Sequence, residues 1–106
     1  MTPGTARDGL LNKYRIFETD QFIRDLKSLS RSGLGKIEKK LREFVYPELG
    51  MHPRFGSNIR KLKGFSPDTW RYRIGNWRFF YEIDDDESIV FMTAASHRGT
   101  AYLKKR

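Results

Sequence analysis

The stretch Trp70-Arg71-Tyr72-Arg73-Ile74-Gly75-Asn76-Trp77-Arg78-Phe79-Phe80-Tyr81-Glu82-Ile83 constrains the fold more than any other part of the chain. Two alternating runs flank Gly-Asn, and glycine accepts the positive φ that a type II′ turn demands, so the pattern predicts a two-residue hairpin loop. With that loop Ile74 faces Trp77, Arg73 faces Arg78, Tyr72 faces Phe79, Arg71 faces Phe80 and Trp70 faces Tyr81. Because side chains alternate along a strand, one face holds Trp70, Tyr72, Ile74, Trp77, Phe79 and Tyr81. The other holds Arg71, Arg73, Arg78 and Phe80. The ring-bearing face needs a cover. Three guanidiniums gathered on the opposite face repel each other and oppose folding unless that surface serves to hold an anion.

The cover is legible upstream. Tyr14-Arg15-Ile16-Phe17-Glu18 reads as a first strand, and Asp20 is placed to cap a helix over about 20–30, with Phe22, Leu26 and Leu29 at helical spacing. Ser30-Arg31-Ser32-Gly33 interrupts the pattern. Leu34, Ile37, Leu41, Phe44 and Val45 restart it as a second amphipathic helix, with an end expected at Pro47. Residues 46–67 then form a long connector rich in Gly and Pro, broken by a basic segment that contains Arg60, Lys61 and Lys63. After the hairpin, residues 84–87 are all acidic and read as a turn. Residues 88–95 form a continuous apolar run, expected to be a central strand buried on both faces. Residues 96–102 are expected just beyond its end, placing His97, Arg98 and Tyr102 where loops present functional groups. Residues 1–12 lack periodicity and read as a flexible leader, and 13–106 read as one domain.

Composition narrows the chemistry. The 106 residues contain no cysteine, which excludes disulfides, thiolate metal sites and cysteine nucleophiles, and the two histidines lie far apart, a poor basis for a metal cluster. No apolar run is long enough to span a membrane, and the N-terminus lacks the apolar centre of a secretory signal, so a cytoplasmic protein is expected. The net charge of +8 is concentrated in the second half, where residues 54–82 carry seven cations and two anions. Such a surface favours a polyanionic partner.

The order of elements, the helix motif Phe22-x-x-Asp25-Leu26-x-x-Leu29, the Leu62-Lys63-Gly64 segment, the arginine-bearing hairpin and the ending His97-Arg98-x-x-x-Tyr102 resemble the RelE/ParE toxin superfamily of bacterial type II toxin-antitoxin pairs. The resemblance covers about residues 13–103. It implies an α+β fold of the order β-α-α-β-β-β: an N-terminal strand, a two-helix hairpin and a three-stranded antiparallel meander, with the helices on one sheet face. It also implies a toxin that cleaves mRNA on the ribosome, the RelE-like activity. The other branch implies a ParE-like gyrase inhibitor without catalysis, and a degenerate member would only bind antitoxin or RNA. The implied partners are a cognate antitoxin, acidic where it meets the arginine face, and mRNA together with ribosomal RNA. No small-molecule cofactor, metal or membrane is called for.

Cleavage by a ribose 2′-OH attacking the adjacent phosphate needs a base, an acid for the departing 5′ oxygen, and cations where phosphorane charge develops; metal is not obligatory. By resemblance, Arg71, Arg78 and Arg98 position substrate and stabilise charge, and Tyr102 stacks on a base or assists proton transfer. Arg73, Arg60, Lys61 and Lys63 are expected to contact RNA. His97 falls where some members carry an acid or base, and imidazole is the one side chain here suited to proton transfer near neutrality without a large shift. Thr69 and Arg71 stand on the strand where the best-known RelE pattern has lysines. Arginine is too basic to act readily as a general base, so the base is not assigned by the resemblance.

Overall fold

The structure is a computed structural model, and it describes residues 13–30 and 34–97. The expected leader, 1–12, and the expected site residues Arg98 and Tyr102 lie outside the described residues. The elements in chain order are β1 (Arg15–Glu18), α1 (Asp20–Leu29), α2 (Leu34–Lys40), a π-helical turn (Leu41–Val45), α3 (Tyr46–Met51), β2 (Ile59–Lys61), β3 (Trp70–Ile74), β4 (Trp77–Asp84) and β5 (Ile89–His97). The strands form one five-stranded sheet in the order β1-β5-β4-β3-β2. β1 runs parallel to β5 and every other pair is antiparallel.

The hairpin closes in the expected register, with Ile74 opposite Trp77, Arg73 opposite Arg78 and Trp70 opposite Tyr81. Gly75 has φ 58°, the positive value that only glycine adopts cheaply, and Asn76 needs none. On the ring-bearing face, Tyr72, Phe79 and Tyr81 are buried against Phe22 and Leu26 of α1, Ile37 of α2, Leu41 and Val45 of the π turn, and Leu49 of α3. Burying each such large apolar side chain contributes roughly 1.5–3 kcal/mol. This layer of helices is what fixes the sheet and leaves its other face uncovered by any described helix.

Four local expectations are corrected. Thr19, not Asp20, caps α1: its Oγ1 accepts from the Phe22 backbone N–H at 3.2 Å and donates to the Met92 carbonyl at 2.8 Å, so one hydroxyl starts the helix and ties it to β5. Helical structure does not end at Pro47. The π turn widens the helix just before the proline, which then stands in the first turn of α3, where its missing N–H costs nothing. The connector over 46–67 is not structureless: it holds the rest of that helix and then β2, whose Ile59, Arg60 and Lys61 pair with Tyr72, Arg71 and Trp70. Such a short edge strand bounded by Gly56 and Gly64 has too little pattern to announce itself.

The fourth correction concerns β5. It is central, between β1 and β4, but its first half is buried on one side only, at Val90 and Met92. Met92 pairs with Tyr81 and Ala94 with Phe80, so Thr93 is an extra residue, a β-bulge, and its Oγ1 donates to the Phe80 carbonyl at 3.2 Å. The bulge reverses the alternation. Val90 and Met92 precede it on the ring-bearing face; Ala95 and His97, partners of Phe79 and Trp77, follow it there. Ser96, the partner of Arg78, is turned to the arginine face. Ser96 and His97 are therefore strand residues and not part of a following loop.

Candidate functional site

The sheet face opposite the helices collects Arg60 from β2, Arg71 and Arg73 from β3, and Arg78 from β4. Arg71 stands between Arg60 and Phe80 across the ladder, and Arg73 stands opposite Arg78. Side chains opposite each other in an antiparallel pair share a face, so these four cations are neighbours. Among the described residues, ion pairs form only between Arg54 and Asp85 and between Lys61 and Asp68; none reaches the four arginines. Burial, followed by the fields of Arg60, Arg73 and Arg78, holds the Arg71 guanidinium below its usual range. It remains a cation at neutral pH, because arginine starts so high.

Two buried polar atoms lack a hydrogen-bond partner among the described residues, and both lie on this face: Nε of Arg71 and Oγ of Ser96. Ser96 is only 1% exposed. Phe80, the apolar member of the face, is 6% exposed beneath the arginines, while the Phe17–Phe91 edge-to-face pair occupies the β1 end of the same face. The result is a cationic surface over an apolar floor, suited to phosphate groups and bases.

The other expected site residues are distributed differently. His97 shares the ring-bearing side with its partner Trp77, the two rings lying 4.8 Å apart between centroids, and Trp77 stacks on Phe79. Its imidazole is thus across the sheet from the four arginines, at the end of β5. Lys61 is opposite Trp70, off the arginine face, and pairs with Asp68 at 3.3 Å. Lys63 is exposed just after β2. Ser96 was missed by sequence reasoning because a strand end after Ala95 leaves its direction undefined; only the bulge sets it.

Carboxylates gather at the other end of the sheet, with Glu82 on the arginine face itself. A cavity of about 590 Å³ lies towards the far end of the sheet from the Gly75 turn, lined by Arg54, Asp68, Trp70, Glu82, Asp85 and Phe91 among others. Its carboxylates repel a polyanion, so this half-open pocket is a poor site for phosphate. Among the described residues no group of three or more His, Asp or Glu is arranged to hold a metal ion. No helix there is long and apolar enough to cross a membrane.

Comparison with known proteins agrees with this architecture. The profile described as "ParE toxin of type II toxin-antitoxin system, parDE" matches residues 16–102. The chain belongs to the ParE toxin family. Within the wider RelE/ParE superfamily it is 29% identical over 90 residues to a Methanocaldococcus jannaschii protein named as a RelE1 toxin, an alignment covering 85% of this chain and 96% of the other. The toxin of the Mycobacterium tuberculosis RelBE2 toxin-antitoxin complex superposes with a TM-score of 0.64 at 26% identity, covering 83% of this chain and 94% of that one. The archaeal RelE–RelB complex from Pyrococcus horikoshii shares the fold, with a TM-score of 0.55 at 23% identity over 84% of this chain and 99% of that one.

Proposed function

We propose that this ParE-family toxin cleaves mRNA on the ribosome, acting in the cytoplasm with the arginine face against the RNA backbone. The observation that carries the reading is the set Arg60, Arg71, Arg73 and Arg78, four cations on one sheet face that form no ion pair and lie under no helix among the described residues. In the reaction the 2′ oxygen attacks phosphorus, the bond to the 5′ oxygen breaks, and a 2′,3′-cyclic phosphate and a 5′-hydroxyl result. Arg71 and Arg78 stabilise the charge gathering on the phosphorane oxygens, a role that suits permanent cations already fixed in place. Arg60 and Arg73 hold flanking phosphates. Arg98 and Tyr102 keep the roles that the resemblance implies, charge stabilisation and base stacking or proton transfer. His97 serves as acid or base only for a substrate that bends round the end of β5. Lys61 and Lys63 give a weaker second contact beside β2.

The same face accounts for a cognate antitoxin. An acidic segment laid on it neutralises the arginines and excludes RNA, and the relatives solved with RelB partners support that pairing. A second reading, gyrase inhibition without catalysis, is favoured by the packing of His97 on Trp77 away from the arginines and by the family's ParE name. Sequencing RNA ends from arrested cells, alongside plasmid supercoiling, separates the two. The proposal predicts codon-linked cuts with normal supercoiling. Intact messages with broken DNA select the gyrase reading.

A further inference from the structure

Ser96 is an odd residue for its position. Its neighbours Ala94 and Ala95 are small, apolar and equally buried, so alanine fits this part of β5 without leaving a hydroxyl unpaired. The hydroxyl is instead on a face where its cross-strand neighbours are guanidiniums, with the carboxylate of Glu82 four residues beyond Arg78 along β4. Arg78 is its cross-strand partner and Arg73 stands one strand further, while Arg71 lies in the next row with Phe80 and Ala94. Guanidiniums donate and cannot accept, so the Ser96 O–H has no acceptor among them, and neither has the orphaned Nε–H of Arg71. From strand and residue spacing the Cα atoms of Ser96 and Arg71 are about 12 Å apart, with Arg78 between, a span that long arginine side chains and one tetrahedral anion can bridge. An oxyanion is the chemistry that satisfies both donors at once.

We propose that Ser96 Oγ and Arg71 Nε bind non-bridging oxygens of one RNA phosphate, with Arg78, on the strand between theirs, as a third donor. Ser96 is then a substrate-binding residue of this toxin. The inference deepens the RNA-cleavage reading and rests on it for the identity of the phosphate; the recognised group, a tetrahedral phosphate, is the same whether RNA or free phosphate supplies it.

The test uses the full chain and two probes: a single-stranded RNA methylated at every 2′ oxygen, which binds without being cut, and inorganic phosphate. Ser96→Ala is expected to bind the RNA roughly tenfold more weakly than wild type with an unchanged salt slope, since it loses a charge-assisted hydrogen bond and no charge. Arg71→Met is expected to lose affinity and about one unit of salt slope. In nitrogen-15 spectra the Arg71 Nε–H resonance is expected to move on adding RNA or phosphate, and to move less in Ser96→Ala. Wild-type affinity and an unaltered Arg71 response in Ser96→Ala overturn the proposal, as does an Arg71 resonance that ignores both probes. A response to phosphate in a protein that leaves natural RNA uncut keeps the site and removes the RNA-cleavage reading, so the two failures are distinct.

Discussion

Asp25 Oδ2 accepts a hydrogen bond from the backbone N–H of Ala95 at 2.9 Å, linking α1 to the strand segment just after the bulge. β1 ends opposite Met92, so Ala95 has no further strand on that edge, and the carboxylate takes the place of one. Gln21 Nε2 donates to the other oxygen at 2.7 Å and holds the carboxylate in position. This contact gives a physical role to the aspartate of the Phe22-x-x-Asp25-Leu26 motif: it stabilises the bulged register that puts Ser96, and not His97, on the arginine face. Asp25→Ala is expected to cost about 1–3 kcal/mol by orphaning the Ala95 N–H, and Asp25→Asn distinctly less because a carbonyl acceptor remains. Urea denaturation checks both, and an Asp25→Ala variant as stable as wild type contradicts the role.

Like charges gathered on the arginine face oppose folding. Arg71 has a buried Nε without a partner and three cationic neighbours, so Arg71→Met is expected to raise stability by about 1 kcal/mol at low salt while abolishing toxicity. Added salt screens the repulsion and narrows the difference. Melting temperatures of wild type and variant across a salt series check this; a less stable Arg71→Met shows that Arg71 is structural.

Acid sensitivity has a definite sign at the acidic turn. Asp85 accepts from Arg54 Nη2 at 2.7 Å and from the Tyr14 hydroxyl at 2.6 Å, and these partners, Arg54 first, hold its carboxyl below the ordinary 3.8. A group lowered on folding adds stability above its unfolded value and loses it as pH falls through the folded one. The protein is therefore expected to lose part of its stability below about pH 4, and Asp85→Asn to flatten that part of the curve. Chemical denaturation from pH 6 to pH 2.5, as approximate limits around that carboxyl value, reads the difference.

At the alkaline end the phenols carry the effect. Burial and the hydrogen bond to Glu48 Oε1, 2.8 Å, push Tyr72 up to about 12, while burial raises Tyr46 and Tyr81 and the Asp85 contact raises Tyr14. A raised value means stability present below the ordinary 10.0 and lost as pH climbs through the folded value. Ultraviolet titration of the native protein should show Tyr14, Tyr46, Tyr72 and Tyr81 ionising later than free tyrosine. Normal titration of Tyr72 at pH 10.0 contradicts the packed Tyr72–Glu48 contact.

The hairpin, its register and the division of rings from arginines were legible because a period of two and one obligatory glycine encode them locally. The two-helix cover was legible for the same reason, through Phe22, Leu26, Ile37 and Leu41. What escaped was set by tertiary pairing. Ile59–Lys61 becomes a strand only because β3 offers it an edge, and that pairing brings Arg60 onto the arginine face. The continuous apolar run of β5 conceals the bulge at Thr93, since a run apolar throughout looks the same in either register. With the bulge unread, which of Ser96 and His97 meets the arginines was unreadable too. The proline at 47 signalled a helix end, and the π turn moved that end to Met51.

On the proposed function, the arginines above Phe80 meet the RNA that the toxin cuts. Expression of the Arg71→Ala/Arg78→Ala double variant without an antitoxin, with folding checked by circular dichroism and RNA ends mapped by sequencing, addresses it most directly. A folded variant that leaves growth and messages intact, beside a wild type that arrests growth and cuts within codons, is the predicted result. A folded double variant that still arrests cells and yields the same cuts contradicts the account.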